Sequence, residues 1–311
     1  MLTIVGWAAL LVIFVLIAGS LYFYQKAIAR ASKDFLKEDP ELETSSEEAA
    51  ASDANGRWWR SQSFQKWEIV SDDGLRLRGF YLPAARATNK TAIIAHGYSG
   101  NATLMGGWAK LYAEELGYNI LLPDARGHGA SEGRYIGFGW HERKDFVRWI
   151  KQVIEVCGDD VQIVLHGISM GGATVMMTSG ERLPANVKAI VEDCGYTSVK
   201  EELSHQLRRM YRLPAFPILS LTSLVTKLRA GYYFGEASAL AQVKKTRTPM
   251  LFIHGDADAF VPTEMVYRLY ESCPTDKQLY VVAGAAHGNA RLADQEGYAR
   301  QISGFIGKYV I

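Results

Sequence analysis

Residues 161–177 read VQIVLHGISMGGATVMM. The opening VQIVL is a short apolar run of the kind buried in a parallel sheet, and the stretch from about Gly171 reads as a helix. Between them lies Gly167-Ile168-Ser169-Met170-Gly171, a serine flanked by glycines at a strand-to-helix turn. A nucleophilic serine needs such a turn, because the chain must reverse so sharply that only glycines fit beside it. Gly172 extends the close approach. A small residue in a tight turn is the competing reading, and the rest of the chain decides between them.

Working outward, apolar runs recur: TAIIAHG (91–97), NILLPDARG (119–127), VKAIVED (187–193), PMLFIHG (249–255) and QLYVVAG (278–284). Amphipathic stretches of helical length lie between or after them, at Trp108 to Leu116, Glu142 to Val156 and Ala290 to Tyr309. Upstream, WEIVS (67–71) and LRLRGFYLPA (75–84) read as an antiparallel pair joined at Asp73-Gly74. Alternating strand and helix predict an α/β fold with a mostly parallel central sheet and helices on both faces. Ligands of such sheets gather at the carboxyl ends of the strands, where these runs turn polar. Val199 to Thr246 is too long for one crossover and reads as a short helical cap, inserted at about 199–246.

A serine hydroxyl attacks a carbonyl only when a histidine takes its proton and an acid orients that histidine. In a sheet of this kind the order is serine, acid, histidine. Of seven histidines only His287 lies beyond Pro262, so it is the candidate base. Asp256 and Asp258 both follow PMLFIHG, and Asp193 ends the strand before it. Asp258, one short loop beyond its strand, is the preferred acid; Asp256 abuts the turn and suits backbone capping, and Asp193 is the fallback. Acyl transfer also needs backbone donors for the oxyanion, and the N–H groups of Tyr98 and Met170 are placed to supply them. His96 and His254, both in His-Gly turns, read as structural hydrogen-bonding residues.

Composition bounds the partners. The formal net charge is +1 and the basic residues are scattered, which argues against nucleic acid. Cys157, Cys194 and Cys273 lack the spacing of a zinc site or a disulfide framework, and no metal or organic cofactor is expected. Leu2 to Tyr24 is uncharged for longer than the roughly 20 residues that span a bilayer, predicting a transmembrane anchor over 1–25. Lys26, Arg30 and Lys33 follow it and place the remainder on the cytoplasmic side by the charge rule, with the cell exterior as the alternative. Residues 26–57, acidic and without apolar periodicity, read as a solvated tether to the domain at 58–311.

AHGYSGN (95–101), DARGHGASEG (124–133), GISMGG (167–172), VEDCGYTS (191–198), FIHGDADAFVP (252–262) and GAAHG (284–288) occur in this order. Through them the chain resembles the α/β-hydrolase superfamily, in particular bacterial membrane-anchored members of the serine aminopeptidase S33-like group, which includes monoacylglycerol lipases and cinnamoyl esterases. The resemblance implies the α/β-hydrolase fold, Ser169 as nucleophile, Asp258 as acid, His287 as base, and Tyr98 with Met170 at the oxyanion. It also implies that Asp124 to Gly129 shapes the site without reacting. The cap's Leu203, Leu207, Met210, Tyr211, Phe216, Ile218, Leu219 and Leu224 supply a roof for an acyl or aryl group, or only pack the cap onto the sheet. No acidic residue of the cap stands out as an anchor for a substrate amino group, so an ester is favoured over a peptide. The alternatives are a peptidase or acyltransferase on the same residues, and a membrane-tethered binding protein without catalysis.

Overall fold

The structure is a computed structural model and describes residues 2–43 and 45–311. Eight strands form one sheet: β1 (Gln65–Val70), β2 (Arg76–Leu82), β3 (Lys90–Ala95), β4 (Asn119–Pro123), β5 (Gln162–Ile168), β6 (Val187–Asp193), β7 (Met250–Gly255) and β8 (Lys277–Val282). Their order is β1-β2-β4-β3-β5-β6-β7-β8, with β2 antiparallel to both neighbours and every pair from β4 to β8 parallel. Each expected strand is present, and the hairpin turns at Gly74 with φ +86°.

The helices are α1 (Leu2–Phe23), α2 (Ser46–Ser61), α3 (Gly106–Lys110), α4 (Glu142–Cys157), α5 (Met170–Ser179), α6 (Val199–Tyr211), α7 (Ile218–Ala230), α8 (Ala239–Val243), α9 (Glu264–Ser272), α10 (Ala290–Ala293) and α11 (Gln295–Ile306). Successive strand residues point to opposite faces, so an apolar run with no polar alternation must be covered twice. Ile93, Leu121, Ile163, Leu165, Ile190 and Phe252 pack with α4, α5 and α9, while Ile94, Ile120, Leu122, Val164, Val191 and Ile253 pack with α3 and α11. Two of the expected helices are broken. The first passes from α3 into a wider turn at Leu111–Glu115; the last is interrupted at Asp294, whose carboxylate caps α11 by accepting from Gly297 N at 2.9 Å.

The segment expected to be a solvated tether is largely exposed but is in part a helix docked on the domain. Most of its second half is α2, started by a capping box in which Ser45 Oγ accepts from Glu48 N (3.2 Å) and Glu48 Oε2 from Ser45 N (2.8 Å). Near its end Trp58 is buried and donates its indole N–H to Glu114 at 2.5 Å. Gly106 in α3 is required by that packing, since a Cβ there would lie 2.8 Å from Asn55 O.

Residues before α2 are held as closely. The apolar side chains of α1 are exposed along most of its length, and the helix is long and apolar enough to cross a membrane. Its end turns into the domain: Tyr24 and Ile28 are buried, Ala29 bridges Tyr135, and Ile136 N donates to Ile28 O at 2.8 Å. Lys33 Nζ donates to the carbonyls of Lys26 (2.8 Å), Ala27 (3.3 Å) and Ala29 (2.9 Å), and Arg30 donates to those of Ser131 (2.7 Å) and Gly129 (2.9 Å). Asp39, buried, takes two bonds from Arg209 of α6, at 2.7 and 2.5 Å.

Trp149 of α4 is fully buried against Gly79 of β2, where a Cβ would come within 2.9 Å of its ring. Truncation to Trp149→Ala leaves a cavity under the antiparallel end of the sheet. The expected cost is about 3–5 kcal/mol of folding stability, read as a lower denaturant midpoint at unchanged slope.

Candidate active site

The elbow is a matter of backbone contact. Ser169 has φ +56° and ψ −117°, a left-side conformation a side chain rarely tolerates. A Cβ on Gly167 would lie 2.0 Å from Gly171 O, and one on Gly171 would lie 2.1 Å from Ala95 O. Both glycines are therefore dictated by the closeness of β3, β5 and the first turn of α5. Ser169 N donates to Asp193 O at 2.8 Å, tying the turn to the end of β6.

Loops at the carboxyl ends of β7 and β8 bring Asp258 and His287 to this serine. His287 Nε2 lies 2.8 Å from Ser169 Oγ, and Nδ1 lies 2.7 Å from Asp258 Oδ2. An ionised carboxylate can only accept, so Nδ1 carries the proton and Nε2 of the neutral ring is free to accept from the hydroxyl. Asp258 Oδ1 accepts from Val261 N at 2.8 Å. Burial acts to raise this carboxyl, but His287 and His254 beside it prevail and hold it well below the usual carboxylate range.

The other two aspartates are engaged elsewhere. Asp256 accepts from Gly284 N at 2.6 Å, which caps the loop leading to His287. Asp193, the fallback acid, accepts from Tyr298 OH of α11 at 2.7 Å, and burial pushes it up to about 6. His254 has a place that sequence reasoning missed. Its Nε2 lies 3.2 Å from Asp258 Oδ2 and 2.9 Å from Val261 O, giving the acid a second imidazole. Cys194, Asp258 and His287 have ligand-type atoms within 4.8 Å of one another. Both ring nitrogens of His287 are already engaged, however, and burial pushes the Cys194 thiol far up, so the cluster suits proton transfer better than metal binding.

Tyr98 and Met170 flank the serine on the side of β3 and α5. Gly97 is so near that a Cβ there would lie 3.5 Å from that of Ser169. Among the described residues the N–H groups of Tyr98 and Met170 donate to no other protein group. The loop after β3 is braced from behind: His96 Nε2 accepts from Ala125 N at 3.0 Å, and His128 Nε2 lies 2.8 Å from Tyr98 O. Asp124 accepts from Ala102 N (2.8 Å) and Ala130 N (2.7 Å), so the segment from Asp124 to Gly129 acts as a scaffold. The Tyr98 ring stacks on Phe138, and its hydroxyl donates to Ala27 O at 2.6 Å.

Above Ser169 a narrow, mainly apolar cleft of about 860 Å³, counting its open mouth, runs under the cap. Leu203, Leu207, Met210, Tyr211, Ile218 and Leu219 line it. Phe216 and Leu224 of the expected roof are instead exposed. Two lining features had no signal in the residue pattern. One is the end of the apolar helix, Phe23 to Ile28. The other is Glu202, an acidic cap residue where none stood out: Oε1 accepts from Gln206 at 2.7 Å and the buried Oε2 has no partner among the described residues. Burial raises Glu202 to about 7, against the opposing pull of Gln206 and His287.

Residues 92–301 match the sequence profile of the Alpha/beta hydrolase family. The uncharacterized Bacillus subtilis protein YqkD is 30% identical over 250 residues, 79% of this chain and 81% of that protein. The uncharacterized membrane protein YNL320W of Saccharomyces cerevisiae is 22% identical over 252 residues, 79% and 81% of the two chains. Among solved structures, the Pyrococcus furiosus esterase Pf2001 superposes with a TM-score of 0.65 at 23% identity, covering 81% of this chain and 94% of that one. That likeness is one of fold.

Glu202 yields a pH signature. The folded protein keeps its proton up to about pH 7, whereas the unfolded chain releases it near the ordinary 4.5. Between those values the folded state binds more protons, so this group's contribution to stability falls as pH rises and levels off above pH 7. In Glu202→Gln that loss is absent. Denaturation at about pH 5 and about pH 8 is expected to show the variant gaining on the wild type at the higher pH; parallel curves would refute the assignment.

Proposed function

The chain belongs to the Alpha/beta hydrolase family, and on that premise we propose that it is a membrane-anchored serine hydrolase cleaving a carboxylic ester through Ser169, His287 and Asp258. The observation that carries this reading is the unbroken relay from Ser169 Oγ to His287 (2.8 Å) to Asp258 (2.7 Å). As the Ser169 oxygen adds to the ester carbonyl, its proton passes to His287 Nε2, and Asp258 stabilises the imidazolium so formed. The carbonyl oxygen, now negative, accepts from the N–H groups of Tyr98 and Met170. Collapse expels the alcohol, which takes the proton back from His287, and leaves an acyl group on Ser169. Water, deprotonated by the same histidine, then adds to that acyl group; collapse breaks its bond to Ser169 Oγ, which takes the proton back from His287, and the acid is released. His254, 3.2 Å from the same Oδ2 that bonds His287, helps keep Asp258 ionised.

This reading includes α1 as the anchor, with the domain on the cytoplasmic side by the basic residues that follow the span. The ordered motifs from AHGYSGN to GAAHG also support kinship with the serine aminopeptidase S33-like group. One observation favours the peptidase alternative: Glu202 is a buried acid lining the cleft. Its carboxyl at about 7 is only partly charged near neutrality, which makes it a weak anchor for an ammonium group and a good donor to a neutral oxygen. Turnover of p-nitrophenyl esters is accordingly expected to exceed that of aminoacyl anilides.

A fluorophosphonate is expected to label the wild type and not Ser169→Ala, and ester turnover in the variant should fall by roughly 10⁴-fold or more. Labelling that persists in Ser169→Ala would remove the assignment.

A further inference from the structure

We propose that the last turn of the membrane anchor is itself part of the acyl-binding site, and that the site takes the acyl chain of a single-chain ester directly from the bilayer. This rests on the serine hydrolase reading and adds the source of the substrate.

The end of α1 and the turn after it supply Phe23, Lys26, Ala27 and Ile28 to the same cleft that reaches Ser169. They line it together with Leu203 and Leu207 of the cap, and Phe23 packs edge-on against Tyr211. The anchor therefore ends in a wall of the cleft and not beside it. The wall is fixed in place: Tyr98, whose N–H flanks the serine, bonds Ala27 O through its hydroxyl at 2.6 Å. Lys33 satisfies three carbonyls of the same turn, and the bridge at Ala29 joins it to the loop after β4. A helix long and apolar enough to cross the bilayer thus ends in a wall of the cleft, at the level where the hydrocarbon gives way to the interface.

The cap is suited to the same position. α7 packs along α1, and Leu224 (44% exposed) and Leu228 (79% exposed) on α7, with Phe216 (76% exposed) just before it, are apolar and uncovered. Beside a membrane-spanning helix such residues bury into the headgroup and acyl boundary, which takes them out of water. The cleft is narrow, apolar along its length and polar at few points, which fits one hydrocarbon chain with its ester at Ser169. A lipid entering here exchanges one apolar environment for another and never crosses water.

The test uses the full chain in phosphatidylcholine vesicles, with 4-methylumbelliferyl palmitate as the bilayer ester and 4-methylumbelliferyl butyrate as the water-soluble one. Palmitate ester in the same vesicles as the protein is expected to turn over at least about tenfold faster than palmitate ester supplied in separate vesicles. Equal rates would overturn lateral entry. Ala27→Phe, which fills the anchor side of the cleft, is expected to lower the palmitate-to-butyrate turnover ratio roughly tenfold or more, as should Leu203→Trp from the cap side. A ratio unchanged in both variants would overturn the anchor's part in the site. Wild type that hydrolyses neither ester, or hydrolysis that survives Ser169→Ala, would instead overturn the hydrolase reading on which the proposal stands.

Discussion

Three backbone segments meet beneath Ser169 with no space for a β-carbon between them. Gly167 faces the carbonyl of Gly171, Gly171 faces that of Ala95, and Gly172 lies 3.0 Å, measured from a would-be Cβ, from Asp193 O. This crowding is what turns β5 into α5 abruptly enough to leave the serine in its positive-φ conformation above the sheet. It also fixes everything around the serine. The loop after β3 passes close because Gly97 allows it, and the end of β6 is bound to Ser169 N. The loops from β7 and β8 then need only reach a point that the sheet has already defined.

Charge is distributed around that point by burial. Asp258 is ionised because two imidazoles and a backbone N–H face it, while Asp193, equally buried, has a phenol for its partner and moves the other way. Two aspartates at neighbouring strand ends thus hold different protonation preferences, and the more acidic of them, Asp258, is the one that bonds His287. Glu202 and the Cys194 thiol are likewise held towards their neutral forms. The relay rests on the one carboxyl of the three that is held below its ordinary range.

Much of this was legible in the residues. Apolar runs without alternation foretold a sheet covered on both faces, and glycines about Ser169 foretold the elbow, because both depend on local pattern. The histidine could be found because only His287 follows the seventh strand. What pattern did not reveal depends on contacts between distant segments. His254 reads as a turn residue until β7 places it against Asp258. Residues 26–57 look solvated by composition, yet Asp39 is neutralised by Arg209 and the Asn55 carbonyl packs against Gly106. One local signal there was readable: Ser45 and Glu48 carry the spacing of a capping box. The basic residues after the span show a further limit. Arg30 and Lys33, which composition reads as topology signals, spend their hydrogen bonds on backbone carbonyls of the fold.

The turn after α1 is bound to the domain by its main chain, through the bridge at Ala29 and the bonds from Ile136 and Tyr98. A membrane helix of the ordinary kind drifts freely in sequence so long as it stays greasy, and one can be swapped for another. Here the freedom ends about Phe23, where exposure gives way to burial. Beyond that residue the apolar helix passes into a segment with the mutational constraints of a globular core. A domain cut free of that segment, by a protease or by a gene fusion, would lose a wall of its cleft.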